Sequence, residues 1–381
     1  MRRTIYGPEH LDFAGVLDAF LNKHVVPHMT EWEEAGQVPR SLYREAAALG
    51  VAGIQAPVEY GGAGESTFLF NCVVTERVAY RRATLGSLRV HTDVVMPYIV
   101  KYGTEEQHRR WLPGMASAEK MTAIAMTEPG TGSDLAGMAT TARRAEGGWV
   151  LNGAKTFITG GSQADLIVVV ARTSEPENRR GGLSLLVVED GMPGFARGRA
   201  LKKLGLLAQD TSELFFDDVF VPDENLLGEE GKAFEYLTGN LAQERLSIAV
   251  NAQAQAVAAI EVTTEYVGGR TVFGRSLSGF QNTKFVLADL ETQVSAGQTF
   301  VDRAIADHER GELTPADAAK VKLFCSELQG RVTDACLQLH GGYGYVRDYD
   351  ICRLYADARV SRIYGGTSEV MKSIIAKSMG L

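Results

Sequence analysis

Apolar residues recur at spacings of three and four through the first third of the chain, in LDFAGVLDAFLNKHVVPHM (11–29), PRSLYREAAALG (39–50) and TFLFNCVVTERVAYRRA (67–83). That spacing predicts helices that each bury one face, with glycines and Pro39 dividing them. Near residue 121 the period changes. MTAIAMT (121–127), WVLNGAKTFITGG (149–161), LIVVVART (166–173), LSLLVVED (183–190) and SELFFDDVFVP (212–222) read as short strands separated by Gly, Asn, Asp and Pro. The helical pattern returns after LLGEEGKAF. Asn240 to Val267 contains neither Gly nor Pro, a second run covers Phe280 to Arg310, and a third starts after Pro315 and passes Leu339. The predicted class is α+β: an N-terminal all-α domain (1–120), a middle antiparallel β-barrel or sheet domain (121–226) and a C-terminal bundle of about four helices (227–381).

Composition narrows the function classes more than the fold. At 381 residues, 45% hydrophobic and 23% charged, the chain has the make-up of a globular protein with a large shared core. Its net charge of -8 argues against nucleic acid or an anionic membrane as a partner. The basic pairs Arg109-Arg110, Arg143-Arg144, Arg179-Arg180 and Lys202-Lys203 are scattered among acids and read as solvated surface. Four cysteines, Cys72, Cys325, Cys336 and Cys352, form no CxxC pair, and the N-terminus has no secretory h-region. A reducing, cytoplasmic setting is the expectation. The longest apolar runs, such as Leu166 to Ala171, are too short to span a bilayer, so no stable membrane insertion is expected.

Several motifs for common chemistries are missing or broken. No GxGxxG follows a strand to open a helix, and neither HExxH nor GxSxG occurs. Gly228 to Ala233 (GEEGKA) resembles half a P-loop, but the first glycine is misplaced and Ala233 stands where Ser or Thr is required. His24 and His28 have Pro27 between them, a poor arrangement for a metal, and no metal site is expected.

Gly-rich and hydroxyl-rich stretches remain at the domain edges: MTEPGTGSD (126–134), FITGG (157–161), RTVFG (270–274), QLHGGYGY (338–345) and YGGTSE (364–369). Each alone reads as a turn. In this order, on a helix/sheet/helix layout, and with YGGAG (60–64), YGTEEQ (102–107) and LKKLGLLAQDTSELFFDDVFVP (201–222), they resemble the acyl-CoA dehydrogenase family over essentially the whole chain. The resemblance implies FAD as cofactor, an acyl-CoA substrate, α,β-dehydrogenation to a trans-2-enoyl-CoA, an electron-transfer flavoprotein as acceptor and a homotetramer built as a dimer of dimers.

Carried over by position, Met126 and Thr127 resemble flavin contacts and Ser133 a contact to the thioester end of the substrate. Phe157 would lie flat against the isoalloxazine, with Thr159 bonding near its reactive nitrogen; the best-known members often have Trp where this chain has Phe157. Arg270 and Phe273 stand three apart, a spacing that puts them on one face of a helix ended by Gly274. They resemble contacts to the FAD of a neighbouring subunit, as do Gln281, Gln338, Gly342, Thr367 and Glu369.

RIYGGTSEV (362–370) raises the main chemical question. Proton abstraction α to a thioester needs a buried carboxylate, and in many family members a Glu directly follows the Tyr of this motif. Here that position is Gly365. Long-chain and isovaleryl members instead supply Glu from the first long helix of the C-terminal bundle. LAQERLSIA (241–249) matches that place, with Glu244 as the base and Arg245 beside it. The resemblance further implies that the Gly365 N–H holds the thioester carbonyl and that Tyr364 lines the cavity. A medium- or long-chain acyl-CoA fits the motifs best, with an isovaleryl or branched-chain thioester or an acyl-carrier-protein thioester as alternatives. A flavin-dependent monooxygenase on the same fold would not need Glu244, and a non-catalytic assembly protein would tolerate loss of both bases.

Overall fold

The helical period of the first third becomes six helices: α1 (Pro8–Phe20), α2 (Met29–Ala35), α3 (Arg40–Ala47), α4 (Leu69–Tyr80), α5 (Met96–Tyr102) and α6 (Glu105–Ala116). The structure, a computed structural model, describes residues 3–174 and 181–381; the Arg179-Arg180 pair lies outside them. α6 begins with a reciprocal cap in which the Gln107 amide donates to the Thr104 hydroxyl (3.2 Å) and the Thr104 amide to the Gln107 side chain (3.0 Å). α5 is entered through a π-helical turn, Val90–Val95, that buries His91, Thr92 and Asp93. Such wide turns insert a residue into a helix and re-aim its side chains.

Strands β1 (Thr122–Ala125), β2 (Thr141–Ala145), β3 (Gly148–Thr159), β4 (Leu166–Arg172), β5 (Leu183–Glu189), β6 (Phe195–Ala200), β7 (Thr211–Pro222) and β8 (Leu226–Leu227) follow. They form one sheet in the order β6-β7-β3-β2-β4-β5-β8, with β1 laid against β4. Its long ladders are antiparallel, whereas β1 runs parallel to β4. The continuous apolar run of β4 is explained by burial on both faces, since Leu166 to Ala171 are all buried. One face packs on a β-domain core with Trp149, Leu214 and Val219. The other shares a core with Tyr98, Trp111 and Leu112 of the N-terminal helices and with Ala233 and Leu237.

The C-terminal region opens with α7 (Ala233–Gly269), 37 residues long. It ends in a small hairpin of β9 (Thr271–Val272) and β10 (Arg275–Ser276), followed by α8 (Gln281–Glu309), α9 (Pro315–His340), α10 (Asp350–Ala358) and α11 (Ser368–Ser378). The middle of α7, residues 244–260, is buried on nearly every side, as its lack of a single apolar stripe requires. Alanines 249, 252, 256 and 259 keep its surface small where it packs along α4, α8 and α9. Among the described residues no helix is long and apolar enough to cross a membrane.

Arg270 and Phe273 do not share a helix face. Gly268 and Gly269 end α7, and Arg270 leaves it in extended conformation. Phe273 sits at the hairpin tip with φ 49, followed by Gly274 at φ 78. Two successive left-handed residues between Thr271-Val272 and Arg275-Ser276 make a hairpin turn, and the three-residue spacing has no helical meaning there.

Candidate active site

Glu244 lies on α7 with only 7% of its surface exposed. Its Oε1 accepts a hydrogen bond from the Tyr98 hydroxyl (3.1 Å), and no ion pair ties it to Arg245. Burial pushes its carboxyl up to about 7, because Tyr98, Arg245 and Asn240 only partly offset the desolvation. The group is therefore a base near neutral pH rather than a surface carboxylate. Arg245 is buried next to it, and its Nε has no hydrogen-bond partner among the described residues.

One turn further along the same face of α7, Ile248 meets Gly365. A Cβ built on Gly365 would come within 2.3 Å of Ile248 Cδ1, and the backbone there is left-handed at φ +63. A side chain at 365 would therefore have to displace the end of Ile248 and would sit on a left-handed backbone. Gly365 and Gly366 both have positive φ and form the turn that feeds α11.

That turn is braced from three sides. The buried Lys322 amine donates to the Gly366 carbonyl (2.7 Å), and desolvation pulls its pKa down to about 8. The Thr367 hydroxyl caps α11 by accepting from the Val370 amide, and Ser368 donates to Glu327 of α9 (2.6 Å). Tyr364 is held by the Arg89 guanidinium, which donates to its hydroxyl at 3.2 Å.

The β domain holds a further group of the residues singled out from the sequence. Phe157 is 67% exposed and has φ 58, at a register break in the β3–β7 ladder between Lys155 and Ile158. Phe157 and Thr159 point one way along β3 while Ile158 is buried on the other side. A left-handed aromatic residue in a strand is a strained position that persists only when its surroundings over-determine it. Here Lys155 is fully buried and donates to Glu128 (2.9 Å) and to the Met126 carbonyl (3.1 Å), and the Thr156 amide bonds the Thr127 carbonyl (2.9 Å). Glu128 also accepts from the amides of Ala139 and Thr140. Desolvation lowers Lys155 to about 8, while in Glu128 these donors outweigh desolvation and hold the carboxyl below its usual range. Ser133 is exposed on the loop that this pair supports.

Arg270, Gln338 and Gly342 come together around a separate cavity, walled by Tyr266 and Tyr343. The Arg270 guanidinium lies over the Tyr343 ring at 5.3 Å. Gln281, the first residue of α8, is exposed, and Phe273 at the hairpin tip is 97% exposed. Thr367 is engaged as the α11 cap, and Glu369 is exposed in the first turn of that helix. The described contacts bring the Glu244–Ile248 stretch of α7 against the Tyr364–Gly365 turn, through Ile248 and Arg89, and gather Arg270, Gln338 and Gly342 separately. Sequence reading missed Tyr98, Arg89 and Lys322. The available signal was a lysine and an arginine set among apolar positions of otherwise buried helices.

The donor set suits FAD. A planar aromatic face stands outward at Phe157, and the second cavity offers a guanidinium, a carboxamide and a glycine pair, Gly341-Gly342, with open space where side chains would stand. Cationic and amide donors of this kind fit a pyrophosphate, and an exposed ring fits an isoalloxazine.

Known proteins match the chain domain by domain. Residues 7–119 match the acyl-CoA dehydrogenase N-terminal domain, 123–219 the middle domain and 231–380 the C-terminal domain. The long-chain specific acyl-CoA dehydrogenase, mitochondrial, of Mus musculus is 44% identical over 99% of this chain and 88% of its own length. A crystal structure of acyl-CoA dehydrogenase from Geobacillus kaustophilus superposes with a TM-score of 0.98 at 45% identity, covering 100% of both chains. A glutaryl-CoA dehydrogenase from Mycobacterium smegmatis, solved in complex with FADH2, gives 0.90 at 28% identity over 98% of this chain and 95% of that one. With helices, sheet and bundle matched in order and nearly end to end, the chain belongs to the acyl-CoA dehydrogenase family.

Proposed function

We propose that the protein dehydrogenates an acyl-CoA across its α and β carbons, with Glu244 as the base, and that FAD is the cofactor. One observation carries the assignment of the base: a buried carboxylate poised at about 7 on the face of α7 that also meets the side-chain-free turn at Gly365. An α proton of a thioester is weakly acidic, so a carboxylate raised toward neutrality removes it more readily than a solvated one. The Tyr98 hydroxyl and the Asn240 side chain hold the Glu244 carboxylate that takes the proton. The Gly365 N–H, held by the Lys322 and Thr367 bracing, donates to the thioester carbonyl as enolate charge develops; one such donor contributes about 3 kcal/mol. FAD, when bound, would supply the acceptor for the hydride from the β carbon.

Met126, Thr127, Phe157 and Thr159 would hold the flavin ring, and Arg270, Phe273, Gln281, Gln338, Gly342, Thr367 and Glu369 the rest of the dinucleotide. Ser133, Arg245 and Tyr364 would line the substrate. Phe273 and Tyr345, aromatic and 97% and 89% exposed near the Arg270 cavity, support closure of that cavity by a neighbouring subunit and hence a homotetramer. We assign a medium- or long-chain acyl-CoA as substrate and an electron-transfer flavoprotein as electron acceptor.

Anaerobic titration of the flavin-loaded protein with saturated acyl-CoAs of increasing length tests the reading. Bleaching of the visible flavin band is the expected result. If no acyl thioester bleaches it, the dehydrogenase assignment fails, and substrate-dependent oxygen consumption would point to a monooxygenase.

A further inference from the structure

A cavity of about 80 Å³ lies between α4, the π turn at Val90–Val95 and the stretch of α7 beyond Glu244. Val78 and Leu88 give it apolar walls, as an acyl tail requires, but Asn71, Arg89, Asp93 and Asn251 also line it. It adjoins the proposed reaction site. Arg89 donates to the Tyr364 hydroxyl and to the Ser247 carbonyl, and Ser247 is three residues from Glu244, about 4.5 Å along the helix axis.

Six charged side chains line this cavity. Arg82 pairs with Asp350, Arg353 with Glu33, and Asp357 accepts from the Leu206 amide, whereas Asp93 and Arg89 are satisfied unequally. Asp93 accepts from Asn71 (2.8 Å), Thr92 (2.8 Å) and Ser247 (2.6 Å), which engages both of its oxygens. Arg89 has five N–H donors but only two bonds, at 3.2 and 3.3 Å. Among the described residues no carboxylate comes within ion-pairing distance of it. It is only partly exposed, and it is one of the residues that line the cavity. Desolvation opposes its charge, and Tyr364 and Asp93 more than offset this, so the guanidinium stays ionised.

A hydrocarbon tail filling this space would leave the spare donors of Arg89 unpaired and dry, the situation that makes polar sites reject apolar analogues strongly. An oxygen on the tail would accept from them. The nearby Asp93 carboxylate already balances the arginine charge, so a neutral oxygen fits better than an anionic one. We propose that the acyl group this enzyme takes carries a neutral oxygen function, a hydroxyl or ketone, on its tail, and that Arg89 is the specificity-determining donor to it. The proposal rests on the dehydrogenase reading above.

The test is a set of acyl-CoAs of equal length with hydrogen, hydroxyl, ketone or carboxylate at one tail carbon, scanned along the tail. Two readouts are taken: kcat/KM of the flavin-loaded parent, and Kd for the flavin-loaded Glu244→Gln protein, where binding is read without turnover. At one position the hydroxyl or keto member should exceed the unsubstituted one at least tenfold by both readouts. Arg89→Met should reduce that ratio to within twofold, and Arg89→Lys, which keeps charge but loses the planar fork, should retain part of it. The parent ratio alone decides the matter if a variant fails to fold. Equal or better handling of the plain alkyl chain at every position overturns the proposal, as does a best substrate bearing carboxylate or a preference that survives Arg89→Met. Turnover of all members alike sinks this inference only, whereas bleaching by none sinks the dehydrogenase reading with it.

Discussion

Glu244 and Phe157 belong to the two walls of the proposed reaction space, and their surroundings are opposite. Glu244 is 7% exposed, takes the Tyr98 hydroxyl and the Asn240 side chain as partners and has its acidity changed by burial. Phe157 is 67% exposed on a left-handed backbone, and the charged groups behind it are paired with each other. A base gains strength from being dry, so the helical wall places its functional carboxylate where desolvation acts on it. A stacking ledge needs an open face, so the β wall buries its ionic pair beneath the ledge and presents backbone and ring outward. On the proposed reading, the helical wall does the chemistry and the β wall holds a shape.

The largest effect should come from the helical wall. Glu244→Gln is expected to lower the rate of flavin reduction by roughly 10²–10⁴-fold with flavin content unchanged, followed by anaerobic rapid mixing. A loss below tenfold would place the base elsewhere. On the β wall the effect should appear in stability instead. Lys155→Met leaves Glu128 buried and unpaired, at a cost of about 3–5 kcal/mol in urea unfolding. Adding Glu128→Gln should recover much of that, because a neutral partner tolerates the dry site; no recovery would mean that the pair is not the brace of the ledge.

Gly365→Ala should cost about 1–3 kcal/mol, from the contact with Ile248 Cδ1 at 2.3 Å and from the positive φ. In the background of Ile248→Val, which removes Cδ1, the penalty should shrink but not vanish. A simple sum of the two single effects would show that the walls do not meet there. The smallest change is expected from Tyr98→Phe. In the parent, kcat/KM should rise with pH through a midpoint near 7 and level off above it, as Glu244 deprotonates. Loss of the Tyr98 donor removes a hydrogen bond that favours the charged carboxylate, so the limb should move to higher pH while the plateau changes little. Stability runs the other way. The folded state binds the Glu244 proton more tightly than the unfolded chain, so this contribution is full below the ordinary carboxylate range and is lost as pH rises through about 7.

The fold was legible where periodicity was long. The α7, α8 and α9 runs and the five named strands appear where the spacing of apolar residues puts them, because burial of one face or of both is what writes that spacing. The Arg270–Phe273 region was not, since four residues cannot distinguish a helical turn from a hairpin and the Gly268-Gly269 pair was the better guide. In the site, Glu244 and Gly365 could be matched as an exchange of positions along a motif. Tyr98 and Arg89 could not, because their contacts to Glu244 and Tyr364 span 146 and 275 residues and look locally like ordinary helix positions. Lys322 was hidden for the same reason, its role depending on a carbonyl 44 residues away.

The uninterrupted length of α7 has a consequence for how this sequence can vary. Glu244 and the hairpin that carries Arg270 hang from one rigid rod, and about 38 Å of helix separates the carboxylate from the last helical residue. Inserting or deleting a single residue between them would turn one end relative to the other by about 100° and shift it by about 1.5 Å. Insertions are therefore excluded from this segment unless they come in near-whole turns, and drift in chain length must be absorbed by the loops outside it.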